Sequence, residues 1–172
     1  NGMFKTADSY LIFGLFTVVN NTGRNYFASI DFNGIHNYVE AFHPQGTSAH
    51  NGKVYTVETK GTDVYIGGAF YRYNGISTAN LVKTTSNGER DISFNAPAVG
   101  LVSNPVTGTV YDIQSAESDF VLVGGMSASS EKVIKLHENG TIDPLFNDGT
   151  GFALSDKVRT IALQDDCKYI FA

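Results

Sequence analysis

The sequence contains few of the residues on which cross-links and cofactor sites usually depend. Its 172 residues include one cysteine, Cys167, and no tryptophan. One cysteine cannot form an intrachain disulfide, which excludes the small disulfide-stabilised secreted folds but not secretion itself. Because Cys167 lies within an apolar strand pattern, we interpret it as a small buried hydrophobe rather than as a catalytic thiol.

Long apolar runs and clustered positive charges are also missing. No stretch approaches the roughly 18 consecutive apolar residues of a membrane-spanning helix, and no signal peptide is visible. The 12 Lys and Arg residues are scattered, and the formal net charge is −5. The basic patch expected of a protein that binds nucleic acid or anionic lipid is therefore not present in the sequence. We predict no nucleic-acid partner and no membrane insertion.

Aromatic residues and glycine, by contrast, are plentiful. The chain has 12 Phe, 9 Tyr and 18 Gly, and 42% of its residues are hydrophobic. This hydrophobic content is typical of a globular protein rather than a disordered one. Aromatic and β-branched segments separated by glycine-containing turns indicate all-β structure.

Four sequence features recur in the same order, and we call the strands that they predict a, b, c and d. Strand a is a short apolar segment, predicted at residues 3–7, 54–57, 110–113 and 158–161. Strand b is a longer apolar segment that runs into glycine, predicted at residues 9–16, 63–70, 119–126 and 168–172. Strand c precedes an Asn-Gly turn, predicted at residues 26–31, 80–85 and 133–137, and strand d closes on Phe42, Phe94 and Phe146.

The period of this repeat indicates the fold. Phe42, Phe94 and Phe146 are spaced 52 residues apart. Four short strands with their turns need about 45–55 residues, whereas the coils of a β-solenoid usually run nearer to roughly 20–30. Asn-Gly tolerates positive φ and is a strong hairpin signal at the predicted c–d turns. The sequence therefore predicts an all-β fold of four-stranded antiparallel β-propeller blades.

The number of repeats predicts an incomplete ring. We predict one propeller segment over residues 1–172, with repeats at approximately 1–52, 53–108 and 109–156 and a partial repeat at 157–172. This amounts to three blades and part of a fourth, whereas propellers close with about 4–8 blades. We expect the remaining blades to come from the same longer chain, with another copy of the chain as the alternative.

The residues around the glycine pairs carry a family resemblance. Residues 67–95 read GGAFYRYNG…NLVKTTSNGERDISFN, and residues 124–152 and 158–172 repeat parts of this pattern. In its order of glycine pair, Asn-Gly and DxxFN-like unit, the chain resembles the delta-60 repeat family of propellers, and the glycine pairs are also kelch-like. The first copy departs from the pattern, with Phe13-Gly14 in place of the pair. The resemblance implies a propeller that acts as a binding or structural module.

No catalytic, cofactor or metal site is recognisable in the sequence. The pairs Gly67-Gly68 and Gly124-Gly125 lack the following Lys and Ser/Thr of a phosphate loop, so we expect them to allow close blade-to-blade packing. The four histidines do not converge with carboxylates at zinc-ligand spacing. Residues 143–151 lack the alternating carboxylates of a calcium loop, and we interpret them as a turn. We predict no catalytic residue, no cofactor and no metal.

Loop lengths indicate one rim of the propeller as the candidate interaction surface. Antiparallel order places the b–c and d–a links at the same rim, and these links differ by four or five residues between repeats. Our hypothesis is that this rim faces the partner, with Tyr71, Arg72, Tyr73 and Asn74 as exposed contacts, since Tyr and Arg are frequent in interaction hot spots. The alternative is that surface loops simply tolerate insertions.

The function predicted from these observations is not enzymatic. We predict a binding or structural module that contacts a protein or carbohydrate through the variable rim, on an extracellular or virion surface such as a phage tail or fibre. The first alternative is an enzyme or lectin whose central-channel site needs residues from further blades. The second alternative is an intracellular kelch-like adaptor.

Overall fold

The protein is built from β-strands. The computed structural model describes residues 2–6, 9–14, 16–23, 26–35, 44–45, 52–78, 80–86, 88–94, 108–115, 120–126, 131–146, 152–154, 158–164 and 169–171, and none of these residues is helical. The strands are β1 (Gly2–Lys5), β2 (Tyr10–Phe13), β3 (Val18–Val19), β4 (Thr22–Gly23), β5 (Phe27–Ile30), β6 (Pro44–Gln45), β7 (Lys53–Lys60), β8 (Asp63–Ala69), β9 (Arg72–Tyr73), β10 (Ile76–Ser77), β11 (Leu81–Thr85), β12 (Thr109–Ser115), β13 (Phe120–Met126), β14 (Glu131–His137), β15 (Phe152–Leu154), β16 (Ile161–Leu163) and β17 (Tyr169–Phe171).

The longer strands form four consecutive antiparallel sheets, which are the predicted blades. Blade 1 has the order β1-β2-β5, blade 2 β7-β8-β11, blade 3 β12-β13-β14-β15, and blade 4 β16-β17. Strands a, b and c therefore pair in chain order, as predicted. The a strand of blade 2, β7, contacts β1 of blade 1 and β12 of blade 3, and β12 contacts β16 of blade 4. The chain is thus an all-β partial propeller in which the a strands of successive blades lie side by side.

The turns that follow strand c confirm the Asn-Gly prediction for the glycines. Gly34, Gly88 and Gly140 have φ values of 77°, 81° and 87°, in the left-handed region that glycine adopts at low cost. The Gly140 amide donates a hydrogen bond to the carbonyl of His137 at 2.8 Å, which closes the turn of blade 3. Asn87 lies outside the described residues.

Strand d differs from the prediction. Among the described residues of blade 2, the segment before Phe94 forms a single bridge between Thr84 and Arg90, and the chain then turns at Asp91, whose Oδ1 accepts the Ser93 amide at 2.8 Å. Because this carboxylate turn takes the chain out of the sheet, Phe94 is not the end of a strand. Blade 3 has the same arrangement at Asp143, and its fourth strand, β15, comes after Phe146. Phe42 lies outside the described residues.

The hydrophobic core consists of three clusters, each between two neighbouring blades. They follow from strand alternation, because successive side chains of one strand point to opposite faces of the blade. In β8, Val64 and Ile66 face blade 1, whereas Tyr65 faces blade 3 and meets Phe94 edge-on with ring centroids 5.8 Å apart. A third cluster joins blade 3 to blade 4 through Leu122 and Ile161.

The repeated glycines in strand b allow these blades to approach each other closely. A Cβ atom at Gly67 would lie 2.5 Å from Val110 Cγ1 of the next blade. A Cβ atom at Gly124 would lie 3.0 Å from Ile161 Cδ1, also of the next blade. The predicted blade-to-blade role is confirmed for these two glycines. Gly68 has a different role, since a side chain there would overlap the Lys53 carbonyl of its own blade.

Candidate functional site

A short β-hairpin occupies the b–c link of each of the first two blades. In blade 1 β3 pairs with β4, and in blade 2 β9 pairs with β10. The two turn residues have positive φ in both hairpins, 46° and 61° at Asn20 and Asn21, and 49° and 78° at Asn74 and Gly75. Positive φ at both central residues is the signature of a type I′ turn, whose twist matches that of paired strands. The b–c links of these two repeats are therefore longer because each contains a hairpin. We call the two hairpins the paired hairpins.

Contacts at their base hold the paired hairpins in place. In blade 2 the Asn80 amide donates to the Phe70 carbonyl at 2.9 Å, and the Asn80 side-chain oxygen accepts the Phe70 amide at 3.2 Å. Asn80 adopts a φ of 62°, which asparagine tolerates better than most residues. Blade 1 repeats the backbone bond with Tyr26, also at positive φ, donating to Phe16 at 2.9 Å.

Each hairpin also reaches the turn at the far end of strand c. The Tyr73 hydroxyl donates to the Gly88 carbonyl at 3.0 Å in blade 2, and the Asn20 amide group donates to the Gly34 carbonyl at 3.0 Å in blade 1. Strand β6, from the d–a link that follows blade 1, pairs with β9. The b–c and d–a links therefore meet, as predicted, while the hairpins also extend along the blade towards the c–d turn.

The predicted contact residues divide between surface and core. Arg72 and Asn74 are exposed, and Tyr71 is half-buried with the Arg72 guanidinium carbon 5.3 Å from its ring centroid. Tyr73 is completely buried among Leu11, Phe27 and other residues between blades 1 and 2. The prediction that Tyr73 is exposed is wrong, because neighbouring residues of a strand point to opposite faces and Tyr73 faces inward. Its burial raises the pKa of the phenol.

Both hairpins also carry exposed apolar side chains. Val18 in β3 is 57% exposed and Ile76 in β10 is 50% exposed. Ile76 pairs with Tyr73, so it lies on the other face of its hairpin from Arg72. We call Tyr71, Arg72 and Asn74 the hairpin surface, since a stacked Tyr–Arg pair is a composition that favours contact with a partner.

A cluster of charged residues lies between blades 2 and 3, at the ends of strands b and c. Lys83 Nζ lies 2.7 Å from Asp63 Oδ2 and 3.3 Å from Asp91 Oδ2, and it donates to the Glu138 carbonyl of blade 3 at 3.4 Å. Burial alone would lower the pKa of Lys83, but its hydrogen bond to Asp63 and the other negative neighbours raise it overall. The Asp91 pKa is lowered, mainly by the hydrogen bond from the Ser93 hydroxyl. The two ion pairs lie within blade 2, and the hydrogen bond to Glu138 joins Lys83 to blade 3.

The described residues contain no group of three His, Cys, Asp or Glu side chains placed to hold a metal ion. Within the segment interpreted as a turn, Asp143 Oδ1 accepts the Leu145 amide at 2.9 Å, and Asp143 Oδ2 lies 3.5 Å from Lys135 Nζ. His36, His43, His50 and Cys167 lie outside the described residues. No helix in the described ranges has the length and apolar character that a membrane span requires.

Sequence reasoning missed a group of residues on the a strands. Tyr55 of β7, Tyr111 of β12 and Arg159, two residues before β16, occupy equivalent positions in three consecutive repeats. The Tyr55 and Tyr111 ring centroids are 5.6 Å apart, and the Arg159 guanidinium carbon is 5.9 Å from the Tyr111 centroid. The sequence did contain a signal for this group. The segments VYTV, VYDI and VRTI place the three residues at the same position of the repeat.

Comparison with known proteins supports the fold. Residues 64–94 match a family described as "Domain of unknown function (DUF5122) beta-propeller". The match spans strands b and c of blade 2 together with the hairpin and the turn between Asp91 and Phe94. No curated protein and no solved structure shows a significant match to the chain. The chain is therefore similar to a β-propeller repeat family over these residues, which are part of blade 2.

Proposed function

We propose that this β-propeller segment is a non-enzymatic binding or structural module, exposed on an extracellular or virion surface, whose partner is a protein or a carbohydrate. The hairpin surface is the contact region. The observation that carries this proposal is the repeated type I′ hairpin, which presents exposed side chains while its base is fixed by buried hydrogen bonds. We also propose that the repeats are of the delta-60 type and kelch-like in their glycine pairs.

The side chains of the hairpin support a contact role. Arg72 and Asn74 point to solvent, and the Arg72 guanidinium stacks on Tyr71, so its position is partly pre-ordered before a partner arrives. Tyr73 takes a supporting role instead, since its buried ring and its hydrogen bond to Gly88 anchor the hairpin. An anchored hairpin with a polar tip can bind with little loss of backbone entropy.

Binding is tested by comparing the native chain with a Tyr71→Ala/Arg72→Ala variant. Both proteins are immobilised and probed with an oligosaccharide array and with candidate surface proteins. We expect the variant to lose about tenfold or more in affinity for at least one ligand that the native chain retains, because two side chains of the hot-spot types are removed.

An Arg90→Ala variant serves as the control, because it removes one positive charge from a residue outside the hairpins. Thermal unfolding of all three proteins should be nearly the same, since Tyr71 and Arg72 are not part of the buried core. If every ligand of the native chain binds equally well to the double variant, the hairpin surface is not the contact region. Turnover of a probe by the native chain would contradict the non-enzymatic proposal.

A further inference from the structure

The a strands form the inner edge of the described blades, and two of them carry a β-bulge at the same place. The register of β7 with β8 shifts between Val54 and Thr56, and that of β12 with β13 shifts between Val110 and Asp112. Tyr55 and Tyr111 are therefore the unpaired bulge residues. A bulge re-aims the side chain of its extra residue and occurs often next to binding sites.

The two bulges and the segment before β16 place three side chains in a row across blades 2, 3 and 4, and we call Tyr55, Tyr111 and Arg159 the aromatic ladder. Tyr55 and Tyr111 are tilted by 47° at a centroid distance of 5.6 Å, and Arg159 lies over Tyr111 at 5.9 Å. Tyr55 is 42% exposed, Tyr111 is half-buried and Arg159 is exposed. Since Tyr55 is exposed and Tyr111 is only partly buried, core packing alone does not account for their position.

Hydrogen bonds between neighbouring blades fix the segments that carry the ladder. Asp112 Oδ2 accepts the Ile161 amide at 2.7 Å and the Thr160 hydroxyl at 3.1 Å, and Glu58 Oε1 accepts the Ser115 amide at 3.0 Å. Each bond joins the a strand of one blade to the a strand of the next. The spacing of the three ladder residues is thereby set by the fold rather than by their own flexible side chains.

The Arg159 guanidinium remains available to an anion. The four ion pairs formed among the described residues involve Lys60, Lys83 and Lys135 as their cations, not Arg159. The Asp112 carboxylate, which bonds to Thr160 next to Arg159, is already occupied by donors from blades 2, 3 and 4. A planar guanidinium binds a carboxylate through two parallel hydrogen bonds.

We propose that the aromatic ladder is a binding site for an acidic oligosaccharide. Two neighbouring sugar units lie along the exposed flanks of Tyr55 and Tyr111, and the carboxylate of a sugar acid is bound by Arg159. The electron-rich face of an aromatic ring attracts the C–H groups of a pyranose. The spacing of the two rings is close to the length of one pyranose unit.

An acidic peptide is a poorer fit to the same surface. A peptide that added a strand to this edge would need free backbone amides. The Ser115 and Ile161 amides are already bound by the side chains of Glu58 and Asp112. The aromatic ladder lies on β7, β12 and the segment before β16, whereas the hairpin surface lies around β9. A result that contradicts one proposed site therefore leaves the other proposal standing.

The test is isothermal titration of the whole chain with oligogalacturonate, a hyaluronan oligosaccharide and sialyllactose. The methyl esters of the same sugars remove the negative charge and keep the ring shape. We expect the acid form of at least one probe to bind about tenfold more tightly than its ester. Arg159→Gln should remove this difference, whereas Tyr55→Leu and Tyr111→Leu should weaken the binding of acid and ester alike.

Arg90→Gln is the control for charge, because it removes one positive charge away from the a strands. It should leave the acid-to-ester ratio unchanged. Tyr55→Leu protects the test against a folding defect. Tyr55 is the more exposed of the two tyrosines, so its replacement should disturb the packing of the blades least. The proposal is overturned if none of the acids binds or if all three ladder variants bind the sugars as the native chain does. It is also overturned if polyglutamate binds as tightly as the best sugar.

Discussion

At the scale of single residues, the interior between blades 2 and 3 combines a buried phenol with a buried ammonium. Tyr65 is completely buried, and its hydroxyl has no hydrogen-bond partner among the described residues. Lys83 Nζ lies 5.9 Å from the Tyr65 ring centroid and is held by Asp63 and Asp91. Burial is the main cause that raises the pKa of Tyr65 from 10.0 to about 12, and the positive charge of Lys83 opposes it.

These shifts predict a loss of stability in alkaline solution. The pKa of Tyr65 is higher in the folded than in the unfolded chain, so its contribution is present below pH 10.0 and is lost as the pH rises through about 12. Two pKa units correspond to about 2.7 kcal/mol. Lys83 has the same sign, because its raised pKa means that its ion pairs stabilise the fold until the ammonium is titrated. Urea unfolding at neutral pH and near pH 12, where most of this contribution is lost, measures the difference.

Tyr65→Phe isolates the tyrosine part of this effect. The variant should be at least as stable as the native chain at neutral pH, since it removes a buried hydroxyl without a protein partner. Its loss of stability in alkali should be smaller by about 2 kcal/mol. Tyr10→Phe is the matched control, because Tyr10 is only half-buried. An alkaline loss that is equal in the native chain and in Tyr65→Phe would contradict the assignment.

At the scale of elements, the apolar side chains of the next blade leave room only for glycine at one position of strand b. Gly67 lies opposite Val110 and Ile113, and Gly124 lies opposite Val158 and Ile161. The equivalent glycines thus face equivalent apolar residues of the following a strand. The paired hairpins are likewise repeat features, since Asn20-Asn21 and Asn74-Gly75 give the same turn at the same place.

Gly67→Ala should destabilise the fold by about 1–3 kcal/mol, because its Cβ would lie 2.5 Å from Val110 Cγ1 and 2.9 Å from Ile113 Cδ1. Gly124→Ala should cost less, since its nearest contacts would be at 3.0 Å. Gly23→Ala is the control, because no atom lies within 4 Å of the added carbon. Equilibrium unfolding in urea gives all three values. A cost for Gly67→Ala no greater than that for Gly23→Ala would refute the interblade packing role.

At the scale of the whole molecule, one carboxylate joins three blades. Asp112 of blade 3 accepts the Thr56 hydroxyl of blade 2 at 3.3 Å and the Ile161 amide of blade 4 at 2.7 Å. It also accepts the amide of its neighbour Ile113 at 2.9 Å. Because these residues lie on adjacent a strands, the bonds connect the blades along the inner edge, in addition to the apolar clusters between their faces.

Asp112→Asn should loosen the connection to blade 4. The amide group replaces one acceptor oxygen by a donor, so either the Ile161 amide or another donor loses its partner, at a cost of about 1–3 kcal/mol. We expect faster hydrogen exchange at the Ile161 amide, measured by nuclear magnetic resonance. Thr56→Val is the control, because it removes only the longest of these bonds. Unchanged exchange at Ile161 in Asp112→Asn would show that the carboxylate does not join these blades.

Much of the fold could be predicted from the sequence, because strand order and turn chemistry are local. The a, b and c segments lie within a few residues of β7, β8 and β11 in blade 2. Strand d was predicted less well, since the Asp91 and Asp143 side chains end the pairing through turns that apolar periodicity does not show. The Asn74-Gly75 dipeptide was visible, but its two-residue strands are too short to display alternation.

The sequence alone determined the repeat, because its 52-residue spacing and its Asn-Gly turns are visible without knowing which blades come into contact. Tertiary structure alone decided which side chains are presented to solvent. Tyr73 is buried because blade 1 covers it, and Tyr55 and Tyr111 form a ladder because bulges and neighbouring blades bring them together. Both outcomes depend on contacts between residues far apart in the chain, which strand periodicity does not encode.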